Sequence, residues 1–275
     1  MKKILVPIDF SPAANGAVAY AAKLAKSIGA DMTVFHAQVP DLFAASAQKQ
    51  QAAADAIRQR LALICQEVGQ VFRVSCSAEV QHGGMSLPSV LAAQGGRYDL
   101  VVMGTNGPDD LRQFFFGTHT YRTVTRMPIP LIVVPEGILY SEIRKIVYAF
   151  DYLRERRLPL DAVLAFARAV GAELVILQIA EEAYSPEVEE DLKALQYIIE
   201  TYTRDFPLRF ETRRATDITA AINSFADEIV PDVVALCSLH RSIAEKLIRH
   251  SVMKSMTAAA SLPLFIFPER GKTSR

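Results

Sequence analysis

Residues 104–126 read GTNGPDDLRQFFFGTHTYRTVTR, with glycines at 104, 107 and 117 and Thr118 directly after the last. Glycine lacks a Cβ and tolerates positive φ, so this spacing lets backbone come very close to a bound group. If Gly117-Thr118 opens a helix, its free amides and positive dipole end favour an anion. Two amide-rich turns together suit a polyphosphate. A second chemical feature is Asp9, which ends the run Ile4-Leu5-Val6-Pro7-Ile8. A carboxylate there suits the donors of a ribose hydroxyl or an adenine edge. Taken alone, Asp9 reads as an ordinary helix-capping acid in front of Ser11-Pro12, and loop glycines often serve only as turn-formers. The weight of each comes from its position relative to the other.

The elements that must position these residues are legible as short Val/Ile/Leu runs alternating with amphipathic stretches. Strands are expected near 3–8, 31–38, 71–80, 99–104 and 130–135, and helices near 12–28, 44–68, 86–95 and 117–127. Ala17, Ala21, Leu24, Ala25 and Ile28 form one stripe of the first helix. The strands are continuous apolar runs, as strands covered on both faces are. The pattern then recurs. IVYAFD matches ILVPID, GAELVILQI matches GADMTVFHA, PDVVALC matches YDLVVMG, and SLPLFIFPE matches MPIPLIVVPE, with the second copy shorter in its middle. Its strands are expected near 145–150, 173–180, 207–213, 232–237 and 263–267. The expected fold is α/β: two tandem copies, residues 1–137 and 143–270, of a five-stranded parallel, doubly wound (Rossmann-like) sheet with helices on both faces. In such sheets ligands bind beyond the carboxyl ends of the strands, where the connections diverge. If the strands ending at Asp9 and Gly104 are neighbours, both lie at that point.

The spacing Gly104-x2-Gly107-x9-Gly117-Thr118, the opening VPIDFS and the segment VVMGTNG resemble the universal stress protein family, in its tandem two-domain form, over nearly the whole chain. The resemblance implies an ATP (adenine nucleotide)-binding stress-response regulator with one site, in the first copy. It implies that Pro7, Ile8, Asp9 and Val39 surround adenine and ribose. Met103, Gly104, Gly107 and Gly117 would line the phosphate side, with Thr118, His119 and Thr120 following on the helix. It also implies that the apolar terminal strands, IPLIVVPE and LPLFIFPE, pair the two copies within one chain, as exposed edges of that kind invite. A homodimer and a protein partner are further expectations that the sequence does not define.

In the second copy Cys237, His240 and His250 stand where the first has Gly104, Gly107 and Gly117, and only Ser251 keeps the Gly-Ser/Thr step. Three residues with a Cβ obstruct backbone approach. Asp151 persists, but the proline before it has become Ala149. This copy is expected not to bind ATP. Cys237, His240 and His250 are metal-capable, yet C-x2-H-x9-H matches no closed zinc pattern, and a cysteine after a strand is usually a small apolar core residue. Loss of the site is the preferred reading.

The first copy lacks the lysine that a P-loop places after its last glycine. Arg112 could fold over phosphates, and Asp109 or Asp110 could help hold a magnesium ion. No general base or clamp for fast phosphoryl transfer stands out, and no G-x-S-x-G elbow marks a nucleophile. Binding is therefore favoured over turnover, with weak ATP hydrolysis or phosphotransfer as one alternative. A scaffold for another ligand or a partner protein is the other. His36, inside a strand and matched by Gln178, reads as a structural hydrogen-bonding residue; His82, before Gly83-Gly84, lies near the same sheet end. Residues 40–56, rich in alanine and glutamine, read as the entrance to the second helix and as a cover on the adenine side.

Composition sets the outer bounds. Of 275 residues, 51% are hydrophobic and 22% charged, and 30 basic residues balance 30 acidic ones, so nothing points to nucleic acid. No run is long enough to span a bilayer, and Ile4-Leu5-Val6 before Pro7 is too short for a signal sequence. Cys65, Cys76 and Cys237 form no disulfide framework. The expected location is the cytoplasm.

Overall fold

The computed structural model describes residues 1–38, 47–82, 89, 97–105, 127, 129–150, 160–180, 184–238 and 262–268. Contacts divide the chain into two compact units, Met1–Tyr140 and Ser141–Arg275.

The first unit contains β1 (Lys3–Pro7), α1 (Pro12–Ile28), β2 (Asp31–Gln38), α2 (Ala47–Phe72), β3 (Cys76–His82), β4 (Leu100–Thr105) and β5 (Leu131–Pro135). Its strands are parallel, in the order β3-β2-β1-β4-β5. Ile4 sits opposite Met32 on one side and Leu100 on the other. β1 and β4 are therefore neighbours, and their carboxyl ends lie side by side. Ser11 starts α1 by accepting from the Ala14 amide at 3.2 Å, and Pro12 supplies a preset φ for the first turn. Gly29 ends the helix at φ 65, a left-handed conformation that glycine adopts without strain. Six of the nine buried residues of α1 are alanine, the others being Val18, Tyr20 and Leu24, so much of its backbone can lie close to the sheet.

The second unit contains β6 (Lys145–Phe150), α3 (Leu160–Val170), β7 (Glu173–Ala180), α4 (Pro186–Tyr202), β8 (Leu208–Arg214), α5 (Ile218–Ile229), β9 (Val233–Ser238) and β10 (Leu264–Pro268). Its parallel order, β8-β7-β6-β9-β10, is that of the first. The likeness extends to single bonds. Asp99 Oδ2 accepts from the amides of Lys2 and Lys3 at 2.7 and 3.1 Å, and Asp232 Oδ2 accepts from those of Arg144 and Lys145 at 2.8 and 2.9 Å. Each aspartate opens the fourth strand of its copy and ties it to the first. Gly171 repeats the role of Gly29, at φ 71.

The cores differ. Where the first unit uses Leu24, Ile132 and Val134, the second has Phe166, Phe265 and Phe267, with Phe166 edge-on to Phe265 at 4.3 Å between ring centroids. β8 alternates half-buried and exposed residues, and Arg209 and Arg213 pair with Glu173, Glu211 and Glu228 along it. Charges of this kind guard a sheet edge.

The strands from the repeat fall within a residue or two of expectation, with one exception. The run Val71-Phe72-Arg73-Val74 reads as the start of the third strand, but α2 continues to Phe72 and β3 begins at Cys76. Arg73 takes φ 60 and turns the chain. Val71 lies on the outer face of the helix, exposed, while Val74 is buried after the turn. The helices expected at 86–95 and 117–127 fall almost wholly outside the described residues.

Candidate functional site

Pro7, buried, is paired with Phe35 at the end of β1. Just beyond it, the Ile8 amide donates to the Phe35 carbonyl at 2.8 Å, and the Ile8 carbonyl accepts from Nδ1 of His36 at 2.7 Å. His36 thus extends the β1–β2 pairing by one side-chain bond. In the second unit Gln178 stands at this position, 2% exposed; its amide donates to the Ile179 carbonyl and meets the Tyr184 hydroxyl.

Asp9 follows, exposed, with Oδ1 accepting from the Ser11 amide at 3.0 Å. Ser11 in turn caps α1, so the acid supports the helix start and lies at its positive end. Phe10, between them, takes φ 66, a conformation uncommon for a bulky residue. Its ring is held from two sides: the Arg60 guanidinium lies 4.1 Å from its centroid, and the His36 ring 5.0 Å away. Phe10 and Arg60 were not singled out from the sequence. An arginine fifty residues away leaves no local signal, and a phenylalanine before a serine cap reads as plain apolar filling.

Met103, 7% exposed, and Gly104 precede Thr105, the last residue of β4, beside this structure. Gly104 does not have positive φ; among the described residues the positive-φ glycines are Gly29, Gly137 and Gly171. The freedom of glycine to take positive φ is thus not used at this position. The need for glycine has another cause. A Cβ at 104 would lie 2.2 Å from the Ala13 carbonyl oxygen, 2.4 Å from its carbon and 2.9 Å from the Ala14 nitrogen. The first turn of α1 sits directly on β4. Backbone does come close to this glycine, and it is the chain's own. The counterpart Cys237, one residue before the end of β9, is buried at 5% exposure.

Val39, Gly107, Gly117, Thr118, His119 and Thr120 lie outside the described residues, as do Asp109, Asp110, Arg112, Asp151, His240, His250 and Ser251. His82 closes β3, paired with Gln38, at the same end of the sheet as Asp9 and Gly104. Among the described residues no group of three or more His, Cys, Asp or Glu side chains could hold a metal, and no helix is long and apolar enough to cross a membrane.

The described geometry is thus a pair of adjacent strand ends, β1 and β4, at the point where the order β3-β2-β1-β4-β5 reverses direction, with a helix N-terminus over them. Residues 1–135 match the family model described as the universal stress protein family. This segment, just under half of the chain, is thus a universal stress protein domain. Over the whole chain the fold is similar to that of a universal stress protein from Archaeoglobus fulgidus DSM 4304, with a TM-score of 0.76, 14% identity and 98% of each chain covered. A functionally unknown protein from Pseudomonas aeruginosa PAO1 is similar at a TM-score of 0.60 and 14% identity, covering 98% of this chain and 92% of that one. At such identities the likeness concerns the fold, which both halves share. No curated protein matches the sequence.

Proposed function

We propose that the first unit is an adenine-nucleotide site of a stress-response regulator, binding ATP at the carboxyl ends of β1 and β4. The observation that carries this reading is the adjacency of those strands, which brings Pro7-Ile8-Asp9 and Met103-Gly104 to the switch point of the sheet. The intact Gly104-x2-Gly107-x9-Gly117-Thr118 spacing supports it from the sequence. Asp9 is oriented by the Ser11 amide through Oδ1, which suits its other oxygen to a ribose hydroxyl. Val39 would close the adenine side, and Thr118, His119 and Thr120 the phosphate side, with magnesium carried in by the polyphosphate.

Gly104 is accounted for by packing alone, so the phosphate role rests on Gly107 and Gly117. The experiment follows from that. Calorimetric titration of the full chain, first freed of any co-purified nucleotide, with Mg·ATP is expected to give one site per chain. Gly117→Val should abolish binding while leaving the unfolding midpoint of the free protein in place. No heat of binding, or two equivalent sites, would refute the reading.

A further inference from the structure

Away from the strand ends, Cys65 of α2 and Cys76, the first residue of β3, face each other with their Sγ atoms 3.1 Å apart. Both are half-buried, within reach of a small solute, whereas Cys237 is buried. The contact treats the two thiols unequally. Cys76 donates its S–H to Cys65, and this bond holds the Cys65 thiol below its ordinary pKa despite some burial. The same bond, together with burial, pushes Cys76 up. Cys65 is therefore the readier thiolate and Cys76 the proton donor beside it, a division that suits an attacking and a resolving thiol. A disulfide has an S–S distance of about 2.05 Å, so the two sulfurs need to close by only about 1 Å. The intervening chain already turns back through the left-handed Arg73.

We propose that Cys65 and Cys76 form a reversible oxidation site at which a hydroperoxide converts the two thiols into an intramolecular disulfide. The Cys65 thiolate attacks one peroxide oxygen and the O–O bond breaks. The other oxygen leaves, protonated, as water from hydrogen peroxide, and Cys65 becomes a sulfenic acid. The Cys76 sulfur then attacks the Cys65 sulfur. The S–O bond breaks, and the departing hydroxide takes the Cys76 proton and leaves as a second water. The two thiols lose two electrons in total, the peroxide gains them, and a dithiol reductant reverses the change. The bond fastens α2 to the edge strand β3. α2 also carries Arg60, whose guanidinium lies on the Phe10 ring next to Asp9.

The test uses the full chain treated with hydrogen peroxide under native conditions, alkylated and digested. Trypsin cuts after Arg73, between the two cysteines, so their disulfide joins two peptides that are otherwise separate. The expected product is lighter by two hydrogens, keeps one alkylatable thiol of the three, carries a Cys65–Cys76 cross-linked peptide and reverts with dithiothreitol. It should form at least about tenfold faster in the native chain than in urea, because proximity drives the second step. Cys237→Ser should behave identically, and Cys76→Ser should leave Cys65 as a sulfenic or sulfinic acid. Wild-type Cys65 that stays reduced, goes to a sulfinic acid without a cross-link, or pairs between chains would overturn the proposal.

Discussion

A Gly104→Ala substitution adds one methyl group at a place where all three nearest atoms are backbone: the carbonyl oxygen and carbon of Ala13 and the nitrogen of Ala14. The closest would lie at 2.2 Å, while non-bonded carbon contacts are comfortable at about 3.5 Å. No side chain can rotate away, so α1 must retreat by about 1 Å at its first turn. Overpacking of this kind costs about 1–3 kcal/mol, and a rigid backbone neighbour places it at the upper end, near 3 kcal/mol. Melting of the first unit should fall by on the order of 10 °C. The chain has no tryptophan, so circular dichroism in urea, with hydrogen-exchange mass spectrometry to separate the two units, is the suitable assay. It is run without nucleotide. Ala13→Gly should not rescue the variant, because the obstacle is the Ala13 carbonyl and not its methyl. A nucleotide-free Gly104→Ala protein within about 0.5 kcal/mol of wild type would refute the packing argument and return this glycine to the ligand.

Asp99→Ala and Asp232→Ala each remove an acceptor for two backbone amides and should cost about 1–2 kcal/mol. Hydrogen exchange should place each loss in its own unit, and Asn at either position should recover part of it. His36→Ala loses the bond to the Ile8 carbonyl and the face against Phe10, a cost of about 1–2 kcal/mol in urea unfolding. His36→Gln, the residue type of the second copy, should restore much of that stability; equal loss in both variants would contradict a hydrogen-bonding role. Arg60→Ala removes the guanidinium from the Phe10 ring. It should cost no more than about 1 kcal/mol, with faster amide exchange at residues 8–11 as its signature.

Much of the fold was legible because its central strands are short, apolar and buried, and because the chain states the pattern twice. The boundary of α2 was not, since Val71, Phe72 and Val74 make a strand-like run that a left-handed Arg73 splits between two elements. At the candidate site, the strand ends carrying Asp9 and Gly104 were legible from the motif. Their adjacency was only conditional in the sequence, because strand order depends on how the helices between them cross the sheet. The cause of Gly104 was hidden for the same reason. Its constraint comes from Ala13, some ninety residues earlier, and no local pattern encodes a helix turn resting on a strand. The Cys65–Cys76 pair was likewise visible only as two cysteines, since a helix end and a strand start bring them together.

The most direct test of the nucleotide reading is the content of the protein itself. The chain is purified without added nucleotide and denatured, and the released supernatant is analysed by ion-exchange chromatography and mass spectrometry. About one adenine nucleotide per chain is the predicted result, from an occupied first unit and a silent second one. A supernatant free of nucleotide, from a protein whose melting temperature Mg·ATP then fails to raise, would contradict it.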